Sequence, residues 1–214
     1  MCEVITITEK FAKLDEEKQQ RILDAAMKEF AQQGYEKAST NQMVKDAGIG
    51  KGMLFYYFKS KKDLFQYLVE YGVEFIKKEY LSKIDESEQD FIERYRQAAQ
   101  IKLQVYNNNP HPFNFLGDFV INDDEMLTER LKDLIFQTRQ MGIAKVFGNV
   151  DASLFRDDLP QDKIYKLIIW TMEGYEKDLI KRIKGKNLAS VEIEPLWNEF
   201  FETLDLLKKV YYKK

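Results

Sequence analysis

Between residues 45 and 62 the chain places five lysines against one acidic residue, Asp46, so this window has a net charge of +4. Ammonium groups neutralise phosphates, and tyrosine hydroxyls donate hydrogen bonds to them, so the two residue types together suit phosphate contact. Four side chains here are predicted to face outward from one short helix: Lys51, Met53, Tyr56 and Tyr57. The alternative is that the lysines only hydrate a helix end, as charged runs usually do.

A short helix after residue 39 is the first element that would position these side chains. Its apolar residues recur at helical spacing, at Met43, Val44 and Ala47. Ser39 and Gln42 fit a capping box, in which the two side chains satisfy free backbone N–H groups of the first turn. The helix is therefore predicted to begin at Ser39.

A glycine turn separates this helix from a second one. Gly48 is predicted to end the first helix with Ile49 filling the turn, and the second helix covers residues 50–58. Leu54 and Phe58, four residues apart, would form its buried face. Two helices joined by a three- or four-residue turn with a glycine form a helix-turn-helix, whose second helix enters the DNA major groove. The pattern therefore predicts DNA binding.

Residues 18–68 resemble the TetR family of transcriptional regulators. The resemblance is carried by KQQRILDAAMKEFAQQGYEKAST, in which a helix ends at Gly-Tyr, and by AGIGKGMLFYYFKSKKDLF, which ends in an F-K-[SN]-K-x-x-L run. It implies an all-α fold with an N-terminal three-helix DNA-binding domain, which contains the helix-turn-helix, and a C-terminal helical domain. The C-terminal domain would bind a ligand and form the dimer.

Position by position, the resemblance also implies eight DNA-binding residues. Thr40 would contact a backbone phosphate at its helix N-terminus. The residues that would approach bases are Asn41, Gln42, Lys51 and Gly52, and those that would hold phosphates are Tyr56, Tyr57 and Lys61. Two positions depart from the family pattern: Phe55 stands where a tyrosine is common, and Gly50 stands where a serine is frequent.

Charge is divided unevenly along the chain. Residues 1–62 have a net charge of +2 and residues 63–214 a net charge of −5, for a total of −3. Basic charge thus gathers around the helix-turn-helix, as expected if only that end docks on DNA. We therefore predict a DNA-binding domain over residues 1–62 and an effector-binding and dimerisation domain over residues 63–214.

Length and composition suit a globular protein with a sizeable core. The chain has 214 residues, 44% of them hydrophobic, and no apolar run approaches the roughly 20 residues of a membrane span. The stretch MCEVITITEK lacks a signal-peptide profile. Its single cysteine, Cys2, cannot form an internal disulfide and fits a reducing compartment. The predicted location is cytoplasmic.

Apolar residues recur at helical spacing through the rest of the chain, and almost nothing alternates as a strand would. The chain is therefore predicted to be all-α. The first helix is expected to begin near Asp15 and to stop at Gly34, and His111 and Pro112 are expected in a turn. The other helices are expected over residues 60–84 without interruption, 87–106, 113–120, 123–146 and 160–185, and from Pro195 onward.

The last helix carries more apolar residues than one core-facing stripe needs. Six of them follow a heptad-type spacing: Ile193, Trp197, Phe200, Leu204, Leu207 and Tyr211. We interpret this seam as an interface that, together with the helix over residues 160–185, joins two protomers in a four-helix contact. The prediction is a homodimer.

Residues that could catalyse a reaction or hold a metal are scarce. His111 is the single histidine, and a turn residue of this kind usually serves structure or the surface. No cysteine and histidine spacing fits a metal site. The glycines at 48, 50 and 52 follow no strand, so they form no dinucleotide fingerprint. We predict no catalytic residue, no metal and no cofactor.

Aromatic residues between 75 and 175 admit two interpretations. They either fill the space between helices or line a cavity for an apolar or amphipathic ligand. Five residues on central helices are candidates for lining this cavity, four with aromatic side chains and one with a carboxylate: Tyr95, Phe115, Phe119, Trp170 and Glu173. The resemblance implies that many relatives have such a cavity, without identifying its residues here.

The predicted function is a regulator that represses transcription from a palindromic operator in double-stranded DNA until a small-molecule effector binds. The uninterrupted helix over residues 60–84 would transmit the effector's signal, and Gly72 would let a neighbouring helix approach it. Two alternatives stay open. One is a helical DNA-binding protein without ligand control, and the other is an effector-binding protein whose DNA-binding domain is vestigial.

Overall fold

A computed structural model describes residues 10–122, 127–184, 186 and 190–213, with the backbone alone at residues 119–122. The regular elements of these residues are helices, and the all-α prediction is confirmed. The α-helices that lie wholly within the described residues are α1 (Glu16–Lys37), α2 (Thr40–Ala47), α3 (Lys51–Tyr57), α4 (Lys61–Glu79), α5 (Phe91–Asn108), α6 (His111–Asn122), α7 (Glu129–Phe147), α8 (Gln161–Ile183) and α9 (Glu194–Tyr211). Two short 3-10 helices, Leu81–Lys83 and Ala152–Leu154, lie between them.

The beginning and end of α1 follow the sequence signals. Asp15 is the N-cap, and its carboxylate accepts a hydrogen bond of 2.8 Å from the backbone N–H of Lys18. Gly34 interrupts the helix with φ of 70° and ψ of 171°, a conformation that glycine adopts without the steric cost of a Cβ atom. A short turn through Lys37 follows. The predicted stop at Gly34 is therefore confirmed.

The prediction that one helix runs without interruption from residue 60 to residue 84 is wrong. It begins as expected, because the Ser60 hydroxyl accepts a hydrogen bond of 3.0 Å from the backbone N–H of Asp63. It ends at Glu79, and Leu81–Lys83 forms a 3-10 turn. Leu81 and Ile84 are both buried after this break. Burial of these side chains outweighs the local helix propensity that the sequence pattern reports.

Three later helices begin at different residues from those predicted. Helix α5 begins at Phe91 rather than residue 87, because the Asp90 carboxylate caps it by accepting the N–H groups of Ile92 and Glu93. Helix α6 already includes His111, and Pro112 suits a first turn, where no backbone N–H is needed. Helix α7 begins at Glu129, and residues 123–126 of its predicted range lie outside the described residues.

The chain divides into two compact units, of which the first contains described residues up to 76 and those of 109–136. An aromatic cluster lies in its core, with ring centroids of Phe65 at 5.3 Å from Phe30 and 5.7 Å from Phe115. Gly72 of α4 faces Leu116 of α6, and a Cβ atom at Gly72 would lie 3.1 Å from the leucine Cδ1. Gly72 therefore allows close approach of a neighbouring helix, as predicted.

The second unit contains residues 77–108, 137–184, 186 and 190–213 of the described chain. Its core joins α5, α8 and α9 through Phe91, Ile168 and Leu204, which have almost no exposed surface. These packing units do not test the predicted functional boundary at residue 62, which stays a prediction.

The heptad-type seam of α9 lies inside this core rather than on the surface. Phe200, Leu204 and Leu207 are 8%, 0% and 6% exposed within a single chain. The interpretation of this seam as the interface between protomers is therefore wrong. Heptad spacing marks one apolar face of a helix, and that face packs equally well against helices of its own chain.

A buried arginine, which the sequence analysis did not identify, holds the end of α7 in the second unit. The Arg94 guanidinium donates hydrogen bonds to the carbonyl oxygens of Glu88 (2.6 Å), Lys145 (3.3 Å), Asn149 (3.0 Å) and Gly148. The residue is 1% exposed. Helix C-termini leave backbone carbonyls without partners, and a cation there satisfies them.

Candidate nucleic-acid interface

The N-terminus of α2 is held by two side chains. The Ser39 hydroxyl accepts the backbone N–H of Gln42 at 3.3 Å, which confirms the predicted N-cap. The second half of the predicted capping box is absent, because Gln42 bonds Asp46 instead. The Glu29 carboxylate of α1 accepts the Ser39 N–H at 2.8 Å. A charged carboxylate forms a stronger hydrogen bond than an amide, so α1 fixes the start of the helix-turn-helix.

The turn between α2 and α3 follows from one glycine. Gly48 adopts φ of 66° and ψ of 36°, the left-handed conformation that ends many helices. Its neighbour Ile49 donates its N–H to the Val44 carbonyl at 3.0 Å and packs against the core of the first unit. Gly50 then precedes α3 without a side-chain cap. The predicted helix-turn-helix is therefore present in the structure.

The outer surface of this motif presents most of the predicted DNA-binding residues. Asn41, Lys51 and Gly52 are exposed, Tyr56 is 61% exposed, and Thr40 and Gln42 are half-buried. A Cβ atom at Gly52 would meet nothing within 4 Å, so the backbone there is open to close approach. Exposed lysines at positions 45, 59 and 62 surround the motif. The arrangement presents positive charge, amide groups and a phenol to one ligand, as phosphate and base contacts require.

Tyr57 corrects one of the predictions. Its side chain is 6% exposed rather than outward-facing, and its ring centroid lies 5.8 Å from that of Phe11. Among the described residues no hydrogen-bond partner of the Tyr57 hydroxyl is found, and its contact with a phosphate stays a prediction. Leu54, Tyr57 and Phe58 share one helix face by their i, i+3, i+4 spacing, a signal that could have revealed the burial.

Replacing Tyr57 by phenylalanine separates the packing of its ring from the predicted contact of its hydroxyl with a phosphate. The ring keeps its packing in Tyr57→Phe, so we expect the free energy of unfolding to change by less than about 0.5 kcal/mol, whereas loss of one phosphate hydrogen bond should weaken DNA binding by about 1 kcal/mol for each protomer bound. Fluorescence anisotropy with a labelled duplex and urea unfolding measure the two quantities. Unchanged DNA affinity would contradict the phosphate contact, and a large stability loss would show that the hydroxyl stabilises the fold.

Lys61 and Lys10 occupy positions that link helices of the first unit. The Lys61 ammonium donates to the Glu36 carbonyl at 3.1 Å and lies 4.9 Å from the Tyr35 ring centroid. Lys61 thus ties the start of α4 to the end of α1, and its phosphate contact stays a prediction. The Lys10 ammonium lies 4.5 Å from the Tyr56 ring centroid, so it adds positive charge beside α3.

The five predicted ligand residues fall in different surroundings. Phe115 is fully buried in the first unit, whereas Tyr95 packs in the second unit with ring centroids 5.3 Å from Phe147 and 5.2 Å from Phe200. Burial raises the pKa of Tyr95 above its ordinary value. Trp170 (61% exposed) and Glu173 lie on the exposed face of α8. The Phe119 side chain lies outside the description, and all five stay predictions.

The described residues were also searched for metal sites and membrane-spanning helices. Within the described residues, no three histidine, cysteine, aspartate or glutamate side chains come together in a way that could hold a metal ion. No helix of the same residues is both long and apolar enough to cross a membrane.

Comparison with known proteins agrees with this geometry. Residues 22–68 match the family described as bacterial regulatory proteins, tetR family. An HTH-type transcriptional regulator of Staphylococcus aureus strain USA300 is 28% identical over 143 residues, which cover 57% of this chain and 77% of the relative. Another HTH-type regulator, from strain MRSA252, is 27% identical over 167 residues, covering 67% of this chain and 90% of the relative.

Solved structures share the fold along nearly the whole chain. A TetR family transcriptional regulator from Chloroflexus aurantiacus superposes with a TM-score of 0.58 at 24% identity, covering 96% of this chain and 98% of that one. A ketosteroid transcriptional regulator of Mycobacterium tuberculosis has the same TM-score at 16% identity, covering 94% of this chain and 98% of that one. The family match thus covers the helix-turn-helix of this chain, the curated relatives are HTH-type transcriptional regulators, and the solved structures show that the chain has the fold of TetR family regulators.

Proposed function

We propose that the protein is a homodimeric repressor that occupies a palindromic operator and is released from it by a small apolar or amphipathic effector. The observation that carries the DNA-binding part is the exposed face of α3. Lys51, Gly52 and Tyr56 lie there side by side on a short helix that Gly48 and the Ser39 cap hold in place. In a helix-turn-helix this is the helix that enters the major groove.

Selection from a pool of randomised duplexes tests the proposal. The full-length protein should enrich one palindromic sequence, since a two-fold dimer presents two copies of α3 to two half-sites. Binding should also weaken steeply as salt rises, because the lysines displace counterions from phosphates. Recovery of duplexes without a shared sequence would contradict an operator-reading function.

Exposed apolar side chains on α8 and α9 support the homodimer. Leu167 and Trp170 of α8 are 41% and 61% exposed, and Leu206 and Val210 of α9 are 60% and 41% exposed. The two helices pack together, with the Tyr175 hydroxyl donating to the Leu196 carbonyl at 2.9 Å. Exposed apolar side chains on two helices that pack together are expected at an interaction site. We place the dimer interface on this outer face, opposite the buried seam.

Charged substitutions on that face test the interface. The double variant Trp170→Glu/Leu206→Glu should be monomeric by sedimentation at micromolar concentration, because four carboxylates per dimer would have to be desolvated. Its helix content by circular dichroism should be unchanged, since both side chains are exposed in the single chain. Phe136→Glu, at a 60% exposed position outside α8 and α9, is the matched control. A double variant that stays dimeric would exclude this interface.

Ligand control is proposed to act through α4. This helix begins directly after the helix-turn-helix, and the chain passes from the first compact unit to the second between its residues 76 and 77. An effector in the second unit and DNA on the first would then weaken each other's binding by the same factor, as linkage requires. The proposed place of action is the cytoplasm, where the DNA lies.

A further inference from the structure

The segment that precedes α1, residues 10–14, packs against the helix-turn-helix and α4. Phe11 is 0% exposed, and its ring centroid lies 5.1 Å from that of Phe58 and 5.6 Å from that of Tyr67. Phe58 directly follows α3, and Tyr67 lies on α4. Buried aromatic rings dominate the energetics of such contacts, so Phe11 fixes the segment beside the end of α3.

A side chain of α1 holds the backbone of the same segment. The Gln19 amide donates hydrogen bonds through Nε2 to the carbonyl oxygens of Leu14 (2.8 Å) and Ala12 (3.3 Å). The Leu14 N–H donates to the Phe11 carbonyl at 3.0 Å. The position of residues 10–14 is therefore set by α1 as well as by the ring of Phe11.

This anchoring places Lys10 beside the exposed face of α3. Lys10 is next to Phe11 in the chain and is exposed, and its ammonium lies 4.5 Å from the ring centroid of Tyr56. Tyr56, which is 61% exposed, is one of the residues predicted to hold a phosphate. Within the described part of the chain, Lys10 forms no hydrogen bond or ion pair. An ammonium has three N–H donors, so its contact with the ring leaves donors available for an anion.

Positive charge extends from α3 to this segment. Residues 10–14 contain two lysines, Lys10 and Lys13, and no acidic residue, so their net charge is +2. Both lysines are exposed, as is Lys51 at the start of α3. The segment lies outside residues 22–68, which match the family, so the match assigns it no role. Exposed lysines beside a helix that enters the major groove are placed to neutralise backbone phosphates.

We infer that Lys10 contacts a backbone phosphate of the operator beside the groove that α3 enters. This inference rests on the proposed operator binding and extends the DNA interface to the segment before α1. The contact adds affinity and helps to orient the first unit on the duplex. It does not read the sequence, because every base pair presents the same phosphates.

A salt series with the selected duplex tests the inference. The variant is full-length Lys10→Met, because methionine can keep the contact with the Tyr56 ring without a charge. Its dissociation constant, measured by fluorescence anisotropy, should rise about tenfold. The plot of log affinity against log salt concentration should become shallower by about two, because a dimer loses two phosphate contacts and each contributes about 0.9 to the slope. Lys10→Arg should retain wild-type affinity and slope, and so should Lys166→Met, at an exposed position of α8.

A second substitution distinguishes this contact from a role of Lys10 in placing Tyr56. Tyr56→Phe keeps the ring and removes the hydroxyl that is predicted to bind a phosphate. In the Tyr56→Phe background, Lys10→Met should still raise the dissociation constant about tenfold and reduce the slope by about two. If Lys10→Met had no effect in this background, Lys10 would act only through the Tyr56 hydroxyl, and the inference would be wrong.

The possible outcomes separate this inference from the proposed function. If wild type binds no duplex, operator binding fails, and the inference fails with it. If wild type binds the selected duplex and Lys10→Met has the same affinity and slope, operator binding stands and the Lys10 contact is wrong. Weaker binding at an unchanged slope would also overturn the inference, because a phosphate contact must release counterions. Thermal unfolding of Lys10→Met should match that of wild type, since Lys10 is exposed. If Lys10→Met were unstable, Lys10→Gln takes its place with the same expected results.

Discussion

Replacing Arg94 by methionine should lower the free energy of unfolding of the protein by about 2–4 kcal/mol. The guanidinium satisfies the carbonyl oxygens of Glu88, Lys145 and Asn149 and that of Gly148, and it does so from a site with 1% exposure. Methionine fills a similar length without donating a hydrogen bond. The backbone carbonyl groups at the end of α7 would then lose their hydrogen-bond donors. Partial access of water to these carbonyls would offset only part of the lost stability.

Urea unfolding followed by circular dichroism measures this change as a lower midpoint at an unchanged slope. Arg182→Met is the matched control in the same unit, because Arg182 pairs with Asp178 and Glu199 at the surface. Exposed ion pairs of this kind contribute about 0–1 kcal/mol. If Arg94→Met and Arg182→Met were equally stable, the Arg94 hydrogen bonds would not stabilise the fold as described.

The second large effect concerns DNA. Replacing Lys51 by alanine should weaken binding to the selected duplex by about 2–6 kcal/mol, because each lost contact costs about 1–3 kcal/mol and a dimer loses two. Lys51 is exposed on α3, so the fold should be unaffected. A contact with a base would also relax sequence preference at that position of each half-site, whereas a contact with a phosphate would weaken all sequences equally.

Fluorescence anisotropy at fixed salt measures the affinity of each variant for the selected duplex. Lys166→Ala removes the same charge from an exposed position of α8 in the second unit and should bind as wild type does. Equal affinities of Lys51→Ala and wild type would remove Lys51 from the interface.

Local signals in the sequence predicted the helix-turn-helix well. The Ser39 cap, the left-handed Gly48 and the buried Leu54 each depend on neighbours within a few residues, and the structure confirms all three. Tyr57 was predicted to face outward because a tyrosine beside lysines suits a phosphate contact, but its spacing from Leu54 places it on the buried face of α3. The Glu29 carboxylate that replaces half of the capping box is ten residues away from Ser39 and has no local signature.

Tertiary packing decided the features that the sequence could not reveal. The break after Glu79 follows from burial of Leu81, and the seam of α9 turned inward because α5 and α8 supply its partners. Arg94 contacts carbonyl groups more than 50 residues away, so its role needed the fold.

The central claim is that α3 reads DNA from the major groove, and dimethyl sulfate footprinting on the selected duplex tests it most directly. The reagent methylates guanine N7 in the major groove and adenine N3 in the minor groove, two atoms that lie on opposite edges of the base pairs. The account predicts two clusters of protected guanine N7 atoms, about 34 Å or a multiple of one helical turn apart, in wild type. Protection of adenine N3 atoms alone, or one cluster without a symmetric partner, would contradict it.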